Sequence, residues 1–318
     1  MTCSPAEPPR AGRWTLRAPW RILRTPAPTP EPTGRLVVAA GAALAARQVF
    51  RRVRAHTGAG RWSRTNHRGE QVSLLLGPAA VAGTFAATMA MPGLTPAERL
   101  AAVTAVVGSG VVGAYDDLAG TADAKGLRGH VGAMRRGEVT SGAVKVAGIG
   151  ATGLLAAALL ARSERPGQPG GRGPGGPGRS RPGVATILAD GALVAAAANL
   201  VNLLDLRPGR ALKVVLAQAP LLLTSAGPAL AAPVGVAAGL LVEDLGENGM
   251  LGDCGANALG AGLGVAMVAR LPRPARLVVL AGLVGLILAS ERVSFTAVIE
   301  RHAPLRRLDE LGRRPPRR

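Results

Sequence analysis

Aromatic side chains are scarce in this chain of 318 residues: three Phe, three Trp and one Tyr. The formal net charge is +19, an excess that in a soluble protein suggests nucleic acid. Without aromatic platforms among the cations a base-stacking surface cannot be built, so no nucleic-acid partner is expected. Lysine is scarcer than the charge implies, since only Lys125, Lys145 and Lys213 stand among 38 basic residues. Asparagine occurs five times, at Asn66, Asn199, Asn202, Asn248 and Asn257. Ala, Gly, Pro and Arg dominate as in GC-rich coding sequence, so arginine abundance alone says little. The surviving Lys and Asn residues gather at the ends of apolar blocks or between them, where their particular hydrogen bonding is useful. The two cysteines, Cys3 and Cys254, lie too far apart in sequence to imply a disulfide framework or a cysteine-based metal set.

Long apolar runs are what the chain does have. It is 48% hydrophobic with mean hydropathy +0.25, and its apolar residues come in blocks too long for ordinary amphipathic helices. The blocks lie at 36–46, 71–92, 97–115, 140–161, 183–204, 211–226, 228–242, 254–269 and 275–290. An all-α, polytopic membrane helix bundle of about nine to ten transmembrane helices is expected. Many blocks are rich in Gly and Ala, which lets helices approach closely. Residues 1–33 read as a disordered tail, 34–291 as the transmembrane domain and 292–318 as a basic cytoplasmic tail. The Gly/Pro/Arg-rich stretch 162–183 cannot pair its backbone inside a membrane and is expected to be an external loop.

Counting crossings places the carboxylates. Two blocks separate Asp117 from Asp205, two more separate Asp205 from Asp253, and a further two precede the C-terminal tail. A chain that crosses twice returns to its starting side, so these groups share one face. The segments on that face carry 21 Lys and Arg residues against nine opposite, with the N-terminal tail left out. By the positive-inside rule the carboxylate face is cytoplasmic. The basic N-terminal tail then falls outside, against that rule.

Three clusters on this face carry chemistry. Asp116 and Asp117 follow Tyr115 at the end of a block, with Lys125 shortly after. Two ionised carboxylates at a membrane boundary are costly unless they pair or bind a cation, and Mg²⁺ with its oxygen ligands suits them. The second cluster places Asn199, Asn202 and Asp205 on one helical stripe, with Pro208-Gly209 ending the helix and Arg207, Arg210 and Lys213 at the rim. Amides and a carboxylate beside cations suit a nucleotide diphosphate, although an interhelical hydrogen-bond ladder explains the asparagines as well. The third packs Glu243, Asp244, Glu247 and Asp253 into eleven residues with no basic residue between them, then enters a Gly-rich helix whose N-terminal amides can hold a phosphate oxygen. A transporter would put polar groups at mid-span. Only Asp190 sits there, with no partner evident in the sequence.

Taken together, residues 60 to 310 resemble the polyprenyl-phosphate N-acetylhexosamine-1-phosphate transferase superfamily, which includes phospho-N-acetylmuramoyl-pentapeptide transferase. The resemblance rests on Asp116-Asp117, on Lys125-Gly126-Leu127, on Asn199 to Asp205 and on Met250 to Gly255. It implies transfer of a sugar 1-phosphate from a UDP-sugar to a polyprenyl phosphate at the plasma membrane, releasing UMP, in cell-envelope synthesis. It further implies Mg²⁺ held by Asp253 with Asp117, and an acceptor phosphate deprotonated or oriented by Asp116. Asn199, Asn202, Asp205 and Lys125 would bind the nucleotide part, and Arg207, Arg210 and His302 would steady phosphates. A homodimer is compatible with the resemblance. The chain also departs from the pattern: Gly120 replaces a Lys, Leu206 a Gly and Pro208 an Asp, and a His-rich loop is reduced to His302. Those departures keep open an inactive relative that serves as a membrane scaffold or lipid-carrier binding protein.

Overall fold

Ala- and Leu-rich blocks give helices because these residues lose little side-chain freedom in a helix. A computed structural model describes residues 31–56, 60–119, 140–162 and 182–315. Lys125, most of the tail 1–33 and most of the loop 162–183 lie outside the described residues. The fold is all-α. The helices are α1 (Pro32–His56), α2 (Leu76–Ala90), α3 (Pro96–Ala119), α4 (Ser141–Ala161), α5 (Val184–Leu204), α6 (Arg210–Leu216), α7 (Gly227–Leu245), α8 (Gly252–Arg270), α9 (Arg273–Ser290), α10 (Phe295–Arg301) and α11 (Ala303–Glu310). Between α1 and α2, the antiparallel strands β1 (Ser63–Thr65) and β2 (Gln71–Ser73) form a hairpin, with Arg64 opposite Val72.

Several boundaries follow from local chemistry. Thr95 and Glu98 form a capping box at the start of α3: the Thr95 amide donates to Glu98 Oε2 at 2.9 Å and the Glu98 amide to Thr95 Oγ1 at 3.2 Å. The Thr140 hydroxyl caps α4 by accepting from the Ala143 amide at 3.1 Å. Pro220 opens a 3-10 turn over Ala219–Leu223.

Among the described residues five helices, α3, α4, α5, α7 and α9, are long and apolar enough to cross a membrane, which marks the chain as a membrane protein. The block 211–226, expected as one span, is instead broken into α6 and the 3-10 turn, because Pro220 has no amide to continue a helix. It still runs the length of the bundle. Its start lies against the C-terminal end of α7, where the Gly209 amide meets Asp244, and its finish lies at the α7 N-terminus, where Leu222 abuts Gly227. The 19 residues of α7 separate those ends by roughly 28 Å. Expected alternation is therefore kept, and the C-terminal ends of α3, α5 and α7 meet the N-terminal ends of α4 and α8.

Helix α8 is the axis of the bundle, and nearly every residue of it is buried. One apolar cluster packs α1, α2 and α7 against it, and a second packs α3, α4 and α5 on its other side. Glycine makes the closest crossings. A Cβ on Gly113 of α3 would fall 2.2 Å from the Asp253 carbonyl oxygen, and one on Gly239 of α7 2.1 Å from that of Ala43 in α1. In contrast, α9 has no buried residue, and its Leu277, Val278, Leu286 and Leu288 are exposed. Asp190 is not the unpartnered mid-span charge expected, since Arg276 of α9 pairs with it at the end of the bundle away from the carboxylates.

Gly239→Ala is expected to lower stability by about 1–3 kcal/mol through overpacking, seen as a lower thermal midpoint in detergent. Gly282→Ala, where a Cβ meets nothing within 4 Å, should leave the midpoint unchanged. Equal midpoints for the two variants would contradict the packing of α1 on α7.

Candidate functional site

The N-terminus of α8 is the point on which the site converges. Its first amides have no partner within their own helix, and two carboxylates from other helices take them. Asp117, at the end of α3, accepts from the Asp253 amide at 3.0 Å and the Cys254 amide at 2.9 Å. Asp205, just beyond α5, accepts from the Gly252 amide. Gly252 stands at φ +59°, where a side chain would run into the Asp117 carboxylate. The amides expected to hold a phosphate are thus already committed. Asp117, expected beside Asp253 as a metal ligand, is fully buried with an amide on each oxygen and Arg64 at 3.8 Å.

Beside this cap a lysine joins two acids. Lys145, on the first turns of α4, lies with Nζ 3.2 Å from Asp116 and 2.8 Å from Asp253. The Asp116 carboxyl also meets the side chains of Asp253 and Ser141. Three helices thereby contribute one cation and two anions to one spot. Sequence reasoning missed Lys145 as a site residue. Its signal was present: a lone lysine near the start of an apolar block, in a chain with three lysines in all.

An open cleft lies on the other side of Asp205 from this cap, walled by Asn66 and His67 of the hairpin, Asp205 to Pro208, Asp244, Glu247 and Met250 among others. Its wall is held by a polar frame. Glu247, at φ +55°, receives Asn66 Nδ2 at 2.5 Å and pairs with Arg68 at 2.9 Å. Asp244 accepts from the Gly209 amide at 2.8 Å, fixing the turn after α5. Glu243 pairs with Arg47 at 3.2 Å and accepts from Asn248 at 3.0 Å. Burial raises the Asp205 carboxyl well above the ordinary range; the neighbouring Asp244, Asp253 and Asp117 add to this and the Gly252 amide opposes it. Burial lowers His67 below the usual imidazole range. Glu247 pulls the other way, and Arg207, Arg68 and Arg313 reinforce the burial.

The remaining expected site residues fall as follows. Asn199 and Asn202 are half-buried on the last turns of α5. Arg207 lines the cleft. Arg210 is not at the rim as expected; it is buried, because Asp309 of α11 grips its guanidinium in a bidentate pair at 2.8 and 3.0 Å. His302 is exposed between α10 and α11 and is not part of the cleft wall. Lys125 lies outside the described residues. Among the described residues no three His, Cys, Asp or Glu side chains are grouped to hold a metal ion. No family model and no curated protein sequence matches the chain.

Removing the Asp117 carboxylate as Asp117→Ala leaves two amides of α8 without their acceptor, at a cost of about 1–3 kcal/mol. Thermal unfolding should show this loss, and Asp117→Asn should recover part of it. An unaltered midpoint in the alanine variant would refute the capping role.

Proposed function

We propose that the protein transfers a sugar 1-phosphate from a UDP-sugar to a polyprenyl phosphate, as the superfamily it resembles does. The observation that carries this reading is the Asp116–Lys145–Asp253 centre, built from three helix ends and set near an open cleft lined by polar side chains. The chemistry is attack of a lipid phosphate oxygen on the sugar-bearing phosphorus of the donor, with cleavage of the diphosphate P–O bond and departure of UMP. Both partners are anionic, so charge neutralisation and in-line positioning are the main tasks.

Lys145 offsets the two carboxylates and lets an anionic diphosphate approach them. Asp116 orients the acceptor phosphate, while Arg207 at the cleft wall steadies the donor phosphates. Asn66 and Asp205 offer polar partners to the nucleotide, and Val72 and Met250 supply an apolar face. Mg²⁺ fits this donor set, because it binds commonly through one or two carboxylates with waters and substrate phosphates completing its shell. Asp116 and Asp253 already converge on a cation, and these two would hold it. When bound, Mg²⁺ supplies charge neutralisation across the diphosphate. In this reading the carboxylate end faces the cytoplasm at the plasma membrane, where the excess of Lys and Arg supports that orientation and lipid acceptor and soluble donor can meet.

A second reading is an inactive relative that binds lipid carrier as a scaffold. Pro208, where the superfamily has an acid, has its carbonyl oxygen occupied by Arg313, and His302 is absent from the cleft wall. UMP release from a panel of UDP-sugars with undecaprenyl phosphate separates the two readings.

In membranes with Mg²⁺, Asp253→Asn should cut UMP release by on the order of 100-fold, and full activity in that variant would end the transferase assignment. Lys145→Met should lower the thermal midpoint in metal-free detergent by leaving two carboxylates unpaired, with millimolar Mg²⁺ restoring it. A midpoint insensitive to both changes would remove Lys145 as the internal counter-ion.

A further inference from the structure

The C-terminal segment bonds to both of the elements that flank the cleft, the hairpin and the chain that follows α5. On one side, Asp309 holds Arg210 bidentately, and Lys213 Nζ donates to the backbone oxygens of Leu308 at 2.9 Å and Asp309 at 2.7 Å. On the other, Arg68 of the hairpin donates to the backbone oxygens of Arg314 at 2.6 Å and Pro315 at 2.8 Å, and Arg314 pairs with Glu70 at 3.1 Å. Arg68 is the same residue that pairs with Glu247 in the cleft wall. The segment therefore bridges the hairpin and the turn after α5, two of the stretches that border the cleft.

Arg313 sits in the middle of this bridge. Its Nε donates to the carbonyl oxygen of Pro208, a cleft residue, at 2.9 Å. Its Nη2 lies 2.6 Å from Asp309 Oδ1, yet that buried nitrogen makes no hydrogen bond of acceptable geometry. Its charge reaches His67 and Asp244, both in the cleft wall. Arg68 and Arg207 act on His67 in the same sense. Guanidinium groups suit phosphate oxygens because they offer paired, directional donors.

We infer that residues 308–315 form a strap that clamps the hairpin to the 205–213 turn and places Arg313 at the Pro208 edge of the cleft, where it serves as an additional phosphate-binding cation. The nature of the ligand rests on the nucleotide reading above; the clamp does not. Asp309 is the positioning residue, since it holds the strap on Arg210 and directs Arg313.

The test uses the full chain in nanodiscs, with UDP and uridine as calorimetric probes and hydrogen exchange of the hairpin amides as a structural readout. Arg313→Gln should weaken UDP by about tenfold or more, leave uridine affinity unchanged, and be partly rescued in Arg313→Lys. Asp309→Asn should speed exchange of the Asn66 and Gly69 amides, which bond to Glu70 and Asn66 oxygens within the hairpin. Unchanged UDP affinity in Arg313→Gln, or an equal loss of uridine, overturns the phosphate role while leaving the nucleotide reading intact. Failure of the unaltered protein to bind UDP at millimolar concentration overturns both the nucleotide reading and the ligand half of the inference. Hairpin exchange unaffected by Asp309→Asn overturns the clamp.

Discussion

The N-terminus of α8 sets the arrangement of the whole carboxylate end. A helix that starts inside a bundle brings several amides with no internal partner, and leaving them unmet would be expensive in a water-poor interior. Asp117 and Asp205 meet them from two different helices. That requirement fixes where α3 and α5 must end, and Gly113 lets α3 lie against the Asp253 backbone closely enough to comply. Once these ends are fixed, Asp116 and Asp253 are neighbours by geometry, and Lys145 is the cation that makes their proximity tolerable.

Charge at this end is arranged in layers. Nearest the bundle axis are the committed carboxylates, Asp117 and Asp205. Outside them lies the Asp116–Lys145–Asp253 centre. Further out, Glu243 and Glu247 are met by arginines from α1 and the hairpin, and Asp309 by Arg210 and Arg313. Only in the outer layer do cations match or outnumber the acids, so a phosphate-bearing ligand would meet arginine at the edge before it meets acid at the centre. A bare acidic pocket would instead repel it.

The all-α class and the sharing of one end by Asp117, Asp205 and Asp253 were legible in the sequence. Block length and parity are properties of the chain itself, and the shared end survives because 211–226 runs along the bundle in two pieces. The division of labour among the acids was not legible. Adjacent Asp116 and Asp117 look equivalent in sequence, but neighbouring helical positions point about 100° apart, so one faces the α8 amides and the other faces Lys145. Nor could the sequence show that Arg210 would be taken by Asp309, 99 residues further on. Long-range pairs of this kind depend on how α10 and α11 fold back, and no periodicity encodes that. Asp190 was misread for the same reason, its partner Arg276 lying 86 residues away.

The helix α9 has no residue buried in protein, and the chain runs from it through α10 into α11 and the strap. Its apolar side chains, Val278 and Leu286 among them, find their complement in acyl chains more than in neighbouring helices. On its other side Val279, Leu280 and Leu283 lean on the second apolar cluster and Arg276 ties it to Asp190, so the helix stands between protein and lipid. The segment that joins the hairpin to the turn after α5 is thus reached, through α10 and α11, from the helix least embedded in protein.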